Sequence, residues 1–152
     1  MIEQLNESIE AGKAAYVFKA IQPTFGWDTA VGYLQYCADA EFGEVIGTLN
    51  YRLPLADEID SIKPVKEYLS ENLTKEILGT DLYVTLCTVN GNLKYHSKND
   101  CLLWNVVGQT KFGVQEDNFR PMELGDLIFI PKNTEYIVKP ETARAFVLFS
   151  LQ

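Results

Sequence analysis

His96 is the sole histidine among 152 residues, and that count governs which chemistry the sequence can support. A metal set built on it would take Asp100 and Glu135 as oxygen ligands, with Asp126 as a further candidate, a mixture that suits divalent iron, manganese or zinc. A nucleophilic triad would need His96 beside a thiol or hydroxyl, and Cys101 is the nearest thiol. Five residues along one strand put the two side chains on opposite faces, and no nucleophile elbow surrounds either of them. The acidic pairs Glu116-Asp117 and Asp57-Glu58-Asp60 could be read as acid and base, but they lie in polar, turn-like stretches. A general acid needs burial to raise its pKa, so these carboxylates read as solvated. Gly43, Gly47 and Gly113 form no phosphate-binding pattern.

The elements that would position these residues change character near Gly79. Before it, periodicity is mostly helical; after it, mostly strand-like. Ile2, Leu5 and Ile9 predict a short amphipathic helix ended by Gly12, and Ala15 to Ile21 is a β-branched and aromatic run fit for a strand. Asp28 is placed to cap a helix over Thr29 to Ala38 with Val31, Leu34 and Tyr36 or Cys37 as its inner face. A third helix begins after Ser61, with Pro64 in its first turn and Val65, Tyr68, Leu69 and Leu73 along one side. From Asp81 onward, apolar runs recur between Asn90-Gly91, Gly108-Gln109, Glu116-Asp117-Asn118 and Lys132-Asn133. Short strands joined by tight turns predict an antiparallel barrel or sandwich, and Asn90-Gly91 is a strong hairpin signal.

Composition narrows the function classes. At 47% hydrophobic and 22% charged residues the chain is far from disorder, and its length predicts one domain able to bury roughly two thirds of its unfolded surface. The formal charge of -8, without a cluster of Lys and Arg, argues against nucleic acid as a partner. Cys37, Cys87 and Cys101 are odd in number and sit in apolar company, as reduced thiols do. The N-terminal stretch carries acids where a signal peptide would be basic, and no apolar run approaches the roughly 20 residues of a membrane span. The expected location is cytoplasmic, and the sequons at Asn6 and Asn72 read as chance matches.

The segment from Tyr95 to Phe112 resembles the pattern of the cupin-like Jumonji-C oxygenases, His-x-Asp-x-x-Asp followed by an apolar strand, Gln and Gly-x-Lys-x-Trp. Asp100, Leu102, Leu103, Asn105, Gly108 and Phe112 fit it. The stretch Gly125-Asp126-Leu127-Ile128-Phe129-Ile130-Pro131 is similar to the family's Gly-Asp-x-x-x-Ile-Pro turn. More weakly, Ala15 to Ile21 with Trp27-Asp28 resembles the leading strand and helix of such proteins, and Arg144 to Ser150 their closing strand. The resemblance implies a double-stranded β-helix, a cupin or jelly-roll barrel, with two or three N-terminal helices. It implies one cupin-like domain over 1-152, with a helix-rich flank and leading strand over 1-79 and a barrel core over 80-152.

The same resemblance implies that the chemistry is gone. Tyr95 stands where the family has its first iron-binding His, Ser97 where it has the carboxylate, and Tyr136 where it has the distal His. Thr110 replaces the lysine that grips 2-oxoglutarate. A phenol must lose its proton, at a cost of roughly 4 kcal/mol at pH 7, before it coordinates well. The expectation is a metal-free, non-catalytic protein without cofactor. Tyr95, Ser97, Asn105, Thr110 and Tyr136 would line a pocket for a small organic ligand. Tyr95, Trp104, Phe112, Phe129, Tyr136 and Phe146 form an aromatic set of which some would converge inside the barrel. Partners would be a small molecule or protein, and a second copy in a homo-oligomer such as a dimer. The alternative is an enzyme using Fe(II) and 2-oxoglutarate with His96, Asp100 and Glu135 as a non-standard site. Strand alternation opposes it, because an inward Tyr95 and Ser97 turn His96 outward.

Overall fold

The computed structural model describes residues 1-24, 26-114 and 118-152. Three helices, α1 (Ile2–Ala11), α2 (Trp27–Asp39) and α3 (Lys63–Asn72), cover one side of two antiparallel sheets. The larger sheet has seven strands in the order β1 (Ala15–Val17), β9 (Leu127–Ile130), β6 (Cys101–Val107), β11 (Arg144–Leu151), β4 (Ile77–Thr85), β3 (Asn50–Leu53), β2 (Glu44–Gly47). The smaller sheet runs β5 (Leu93–His96), β10 (Glu135–Pro140), β7 (Thr110–Gly113), β8 (Arg120–Met122). Consecutive strands from β4 to β7 alternate between the sheets, so the chain winds between them instead of forming simple hairpins.

Because successive strand residues point to opposite faces, β6 and β11 each feed two cores. Leu102, Trp104, Val147 and Phe149 point under the helices, where they meet Leu5, Ile9, Ala30, Tyr33, Cys37 and Leu69. Cys101, Leu103, Phe146 and Leu148 point between the sheets, where they meet Phe112, Met122, Tyr136 and Val138. Trp104 donates its indole N–H to the Ile21 carbonyl at 2.8 Å, tying the chain after β1 to the centre of the large sheet.

The first helix forms and stops as its sequence dictates, with Gly12 in the left-handed region at φ 64° receiving the chain. In α2, Gly26 is the N-cap and Asp28 lies in the first turn, and the buried face is Ala30, Tyr33 and Cys37. Val31, expected inside, is exposed, whereas Leu34 packs against the core and, of the alternatives Tyr36 and Cys37, it is Cys37 that is buried. Tyr68 of α3 likewise faces outward while Leu69 is fully buried. The run from Ala15 is a strand only as far as Val17, after which the backbone turns at Lys19 with φ 46°. Asn90-Gly91 does turn, with the Gly91 N–H on the Thr88 carbonyl, but it joins strands of different sheets and so closes no hairpin. Asn90 instead clasps the β2–β3 turn, accepting from the Thr48 N–H and donating to its carbonyl. Gln115, Glu116 and Asp117 lie outside the described residues, so the acidic pair Glu116-Asp117 does too.

Candidate functional site

The turn before β9 sets the geometry between the sheets. Gly125 has φ 90°, and a Cβ there would fall 2.8 Å from the Ile21 carbonyl oxygen, so only glycine fits. Its N–H donates to the Asn105 carbonyl, and the Asn105 N–H donates to the Asp126 carbonyl. The Asp126 side chain, fully buried, accepts from the Tyr16 hydroxyl and from the backbone N–H groups of Lys19 and Glu123. Asp126 is a structural latch with its lone pairs occupied, and a ligand role for it would break three bonds.

Asp100 is a second latch. It pairs with Lys75 at 2.6 Å and accepts the Lys132 N–H at 2.8 Å. Burial works to raise its pKa, but those partners prevail and hold it below the usual carboxylate value. Ser97 fastens the same corner, donating to the Pro131 carbonyl at 2.7 Å and accepting the Thr134 N–H at 3.0 Å.

Between these latches the sheets enclose a cluster of rings. Tyr95 and Tyr136 are cross-strand partners on β5 and β10 and stack with centroids 5.4 Å apart. Tyr83 and Phe146, partners on β4 and β11, stack at 4.8 Å, and Tyr95 meets Tyr83 edge-on at 5.6 Å. Burial pushes the phenols of Tyr83 and Tyr136 well above their ordinary range, and it pushes the Cys101 thiol up to about 12. A cleft of about 400 Å³ opens on this cluster, with Tyr83, Tyr95, Tyr136 and Leu148 in its wall and His96 and the Arg52–Asp81 ion pair beside them.

The residues expected to share one pocket therefore separate. Tyr95, Ser97 and Tyr136 line this cleft, although the Ser97 hydroxyl is committed to backbone. Thr110 donates to the Lys139 carbonyl and borders a different cleft with Gly108 and Met122. Asn105 lines neither cleft and is fully buried, with neither amide atom hydrogen-bonded among the described residues. Of the aromatic set, Tyr95, Phe112, Tyr136 and Phe146 converge between the sheets, whereas Trp104 and Phe129 face the helices. His96 points outward beside its cross-strand partner Glu135, and both are exposed. Asp100 is turned to Lys75, so the three groups do not form a ligand cluster. Among the described residues no group of three or more His, Cys, Asp or Glu side chains is placed to hold a metal ion.

Sequence reasoning overlooks the group that dominates this interior, Arg144. It is fully buried at the start of β11, with its guanidinium carbon 4.6 Å from the Phe146 ring centroid. The buried hydroxyl of Tyr95 lies beside it and acts on it as a hydrogen-bonding partner, although none of Nε, Nη1, Nη2 and that hydroxyl has a hydrogen bond of good geometry among the described residues. Burial lowers the pKa of Arg144, opposed by Tyr95 and then Tyr136, but a guanidinium stays charged in proteins. Alternation gives the missing signal: Arg144, Phe146 and Leu148 are two apart and share a face.

Iron does not fit this donor set. The positions that would supply imidazole, carboxylate and imidazole carry a phenol, a hydroxyl engaged with backbone, and a phenol whose ionisation burial opposes. The guanidinium beside those phenols adds like-charge repulsion toward any second cation in the same low-dielectric space.

No protein-family model and no curated protein matches the sequence. Solved structures do match. Two structures of YcfD from Escherichia coli, described in one as a ribosomal oxygenase, superpose with TM-scores of 0.68 and 0.65 at 8% and 9% identity, each over 92% of this chain. This chain spans about half of theirs, 50% and 48%. A cupin superfamily protein from Desulfitobacterium hafniense aligns over 71% of this chain and 82% of its own, at 11% identity and a TM-score of 0.47. No helix is long and apolar enough to cross a membrane among the described residues. Two facing antiparallel sheets, a helical layer on one of them and the superposition on YcfD show that the chain has the cupin/JmjC-like fold, a double-stranded β-helix.

Proposed function

We propose that the protein is a non-catalytic, metal-free barrel of this type, whose tyrosine-lined end holds a small molecule. The observation that carries the reading is the pair Tyr95 and Tyr136, stacked at two of the three ligand positions yet still in the wall of an open cleft. An aromatic wall beside a few unsatisfied polar atoms is what small-molecule sites use to gain affinity and orientation. Oxygenase activity of the kind named for YcfD would need donors that these positions lack. Self-association belongs to the same reading: β2 is the outer strand of the large sheet, and Val45 on it is 72% exposed.

The test is native mass spectrometry of the purified protein, paired with an assay for succinate formation from 2-oxoglutarate in the presence of Fe(II). The reading expects a small molecule released on denaturation and no succinate above the protein-free control. Succinate production abolished by His96→Ala would overturn it in favour of an oxygenase built on His96, Asp100 and Glu135.

A further inference from the structure

Four strands end the two sheets, and their edges are not guarded alike. An exposed edge offers unpaired N–H and C=O groups to any other strand, and proteins blunt it with proline, lysine, shortness or a covering element. β8 carries Pro121, β5 carries Lys94, and β1 is three residues long with α1 packed beside it. β2 carries neither proline nor lysine. It pairs with β3 on one side and, among the described residues, with no strand on the other. Its one charge is satisfied within the chain, because Glu44 pairs with Arg52 at 3.1 Å. Exposed apolar side chains gather at the same edge. Val45 is 72% exposed, and Asn90, by clasping Thr48, brings Val89 beside Leu49 in the β2–β3 turn. At the other end of β2, the exposed ring of Tyr36 meets Phe42 edge-on at 5.7 Å.

We infer that the β2 edge joins a second copy of this chain, the two β2 strands running antiparallel about a two-fold axis at Val45. The inference deepens the self-association named above and rests on it. A two-fold axis through a sheet sets one residue opposite its own copy, because directly opposed side chains share a face. Glu44 on the axis would bring two carboxylates face to face, and Ile46 there would leave Val45 in water opposite glycine. Val45 on the axis pairs the two exposed valines and sets Glu44 opposite Ile46 of the second copy. The irregular register between Val45 and Gly47 sharpens the twist, so strand pairing stays centred on Val45 and the turns meet other elements. In this register Leu49 comes opposite Glu41 of the second copy, beside its Phe42 and Tyr36. Each copy thus offers Leu49 and Val89 and receives them on Tyr36 and Phe42, as an isologous contact requires. Stacking of the helical layers on one another is opposed by charge: α1 carries Glu3, Glu7 and Glu10 and α2 Asp28 and Asp39, with no basic residue in either. On the inner face, Glu44 lines the tyrosine cleft and Ile46 the smaller cleft next to it. The second copy's Ile46 therefore extends that wall, and the two clefts lie side by side across the axis.

The test is sedimentation velocity of the full chain over a concentration series. An interface built on one short strand and its flanks lies at the small end of the scale, below about 1,200 Å² in total, so a dimer that dissociates on dilution is expected. Val45→Lys sets like charges against one another at the axis and should weaken dimerisation about a hundredfold. Leu124→Lys, equally a change of an exposed apolar residue but near the opposite edge of the sheet, should leave it unchanged. Register is read by Val45→Cys in a Cys87→Ser background: opposed Cβ atoms about 5 Å apart close a disulfide under mild oxidation. Leu49→Cys, which lies many residues from its own copy in this register, should not close one. A chain that stays monomeric at millimolar concentration, a dimer indifferent to Val45→Lys, or a Leu49→Cys disulfide that forms as fast as that of Val45→Cys would overturn the β2 dimer. A dimer indifferent to Val45→Lys leaves self-association standing through another surface. A strict monomer that still releases a small molecule on denaturation removes self-association and leaves the ligand reading intact.

Discussion

The two faces of the large sheet enclose interiors of opposite character. Beneath the helices, Leu5, Ile62, Leu69, Leu102, Trp104 and Phe149 are fully buried, and the indole N–H of Trp104 has its acceptor. Between the sheets, Tyr83, Tyr95, Tyr136, Asn105 and Arg144 crowd together with several polar atoms unmatched. A layer in which packing and hydrogen bonding agree is built for stability. One in which polar groups of poor hydrogen-bond geometry accumulate has its composition set by something other than stability. The same strands β6 and β11 serve both, so alternate residues of one segment answer to different demands.

Substitutions put that contrast at risk. The largest loss is expected at Trp104→Ala, about 4 kcal/mol in urea unfolding, because it empties the helical layer and frees the Ile21 carbonyl. Next comes Asp126→Ala, about 3 kcal/mol, since two backbone N–H groups and the Tyr16 hydroxyl lose their acceptor at once. Between the sheets the sign changes. Arg144→Met should be neutral or stabilising by about 1 kcal/mol, because it removes a buried charge that only the Tyr95 and Tyr136 phenols offset among the described residues and keeps most of its volume. A loss as large as that of Trp104→Ala would erase the distinction between the layers.

Smaller effects concern the rim. The Asp100 carboxyl is lower in the folded protein than in the unfolded chain, so its contribution is present at neutral pH and fades as pH falls below about 4. Unfolding midpoints followed from pH 6 to 3 should therefore drop less steeply in Asp100→Asn than in the wild type. The smallest change is expected for His96→Ala, within about 0.5 kcal/mol, because the ring is exposed at the cleft rim and packs in neither core.

How legible each part is in the sequence follows from how its signal arises. Gly12 after an amphipathic turn, and Gly125-Asp126 before Leu127 to Pro131, are local signals whose meaning depends on a few neighbouring residues. They point to α1 and to the turn that anchors β9. The strands β2 and β3 are not legible, because Glu44 to Leu53 has mixed composition and is held by pairing to β4 and by Asn90 from far along the chain. Registers are harder still: one residue decides whether Val31 or Ala30 faces the core, and periodicity over a single short helix does not fix it. Tyr95 and Tyr136 are visible as departures from a pattern. Arg144 is not, since an arginine opening a strand reads as surface until its neighbours are placed around it.

A fixed positive charge thus occupies the interior in which the resembling oxygenases would hold iron. The direct measurement is calorimetric titration of the purified protein with Fe(II) under anaerobic conditions, repeated with His96→Ala. No saturable binding at stoichiometric concentration is expected in either protein. One ion bound per chain in the wild type, and lost in His96→Ala, would contradict the charge-filled interior.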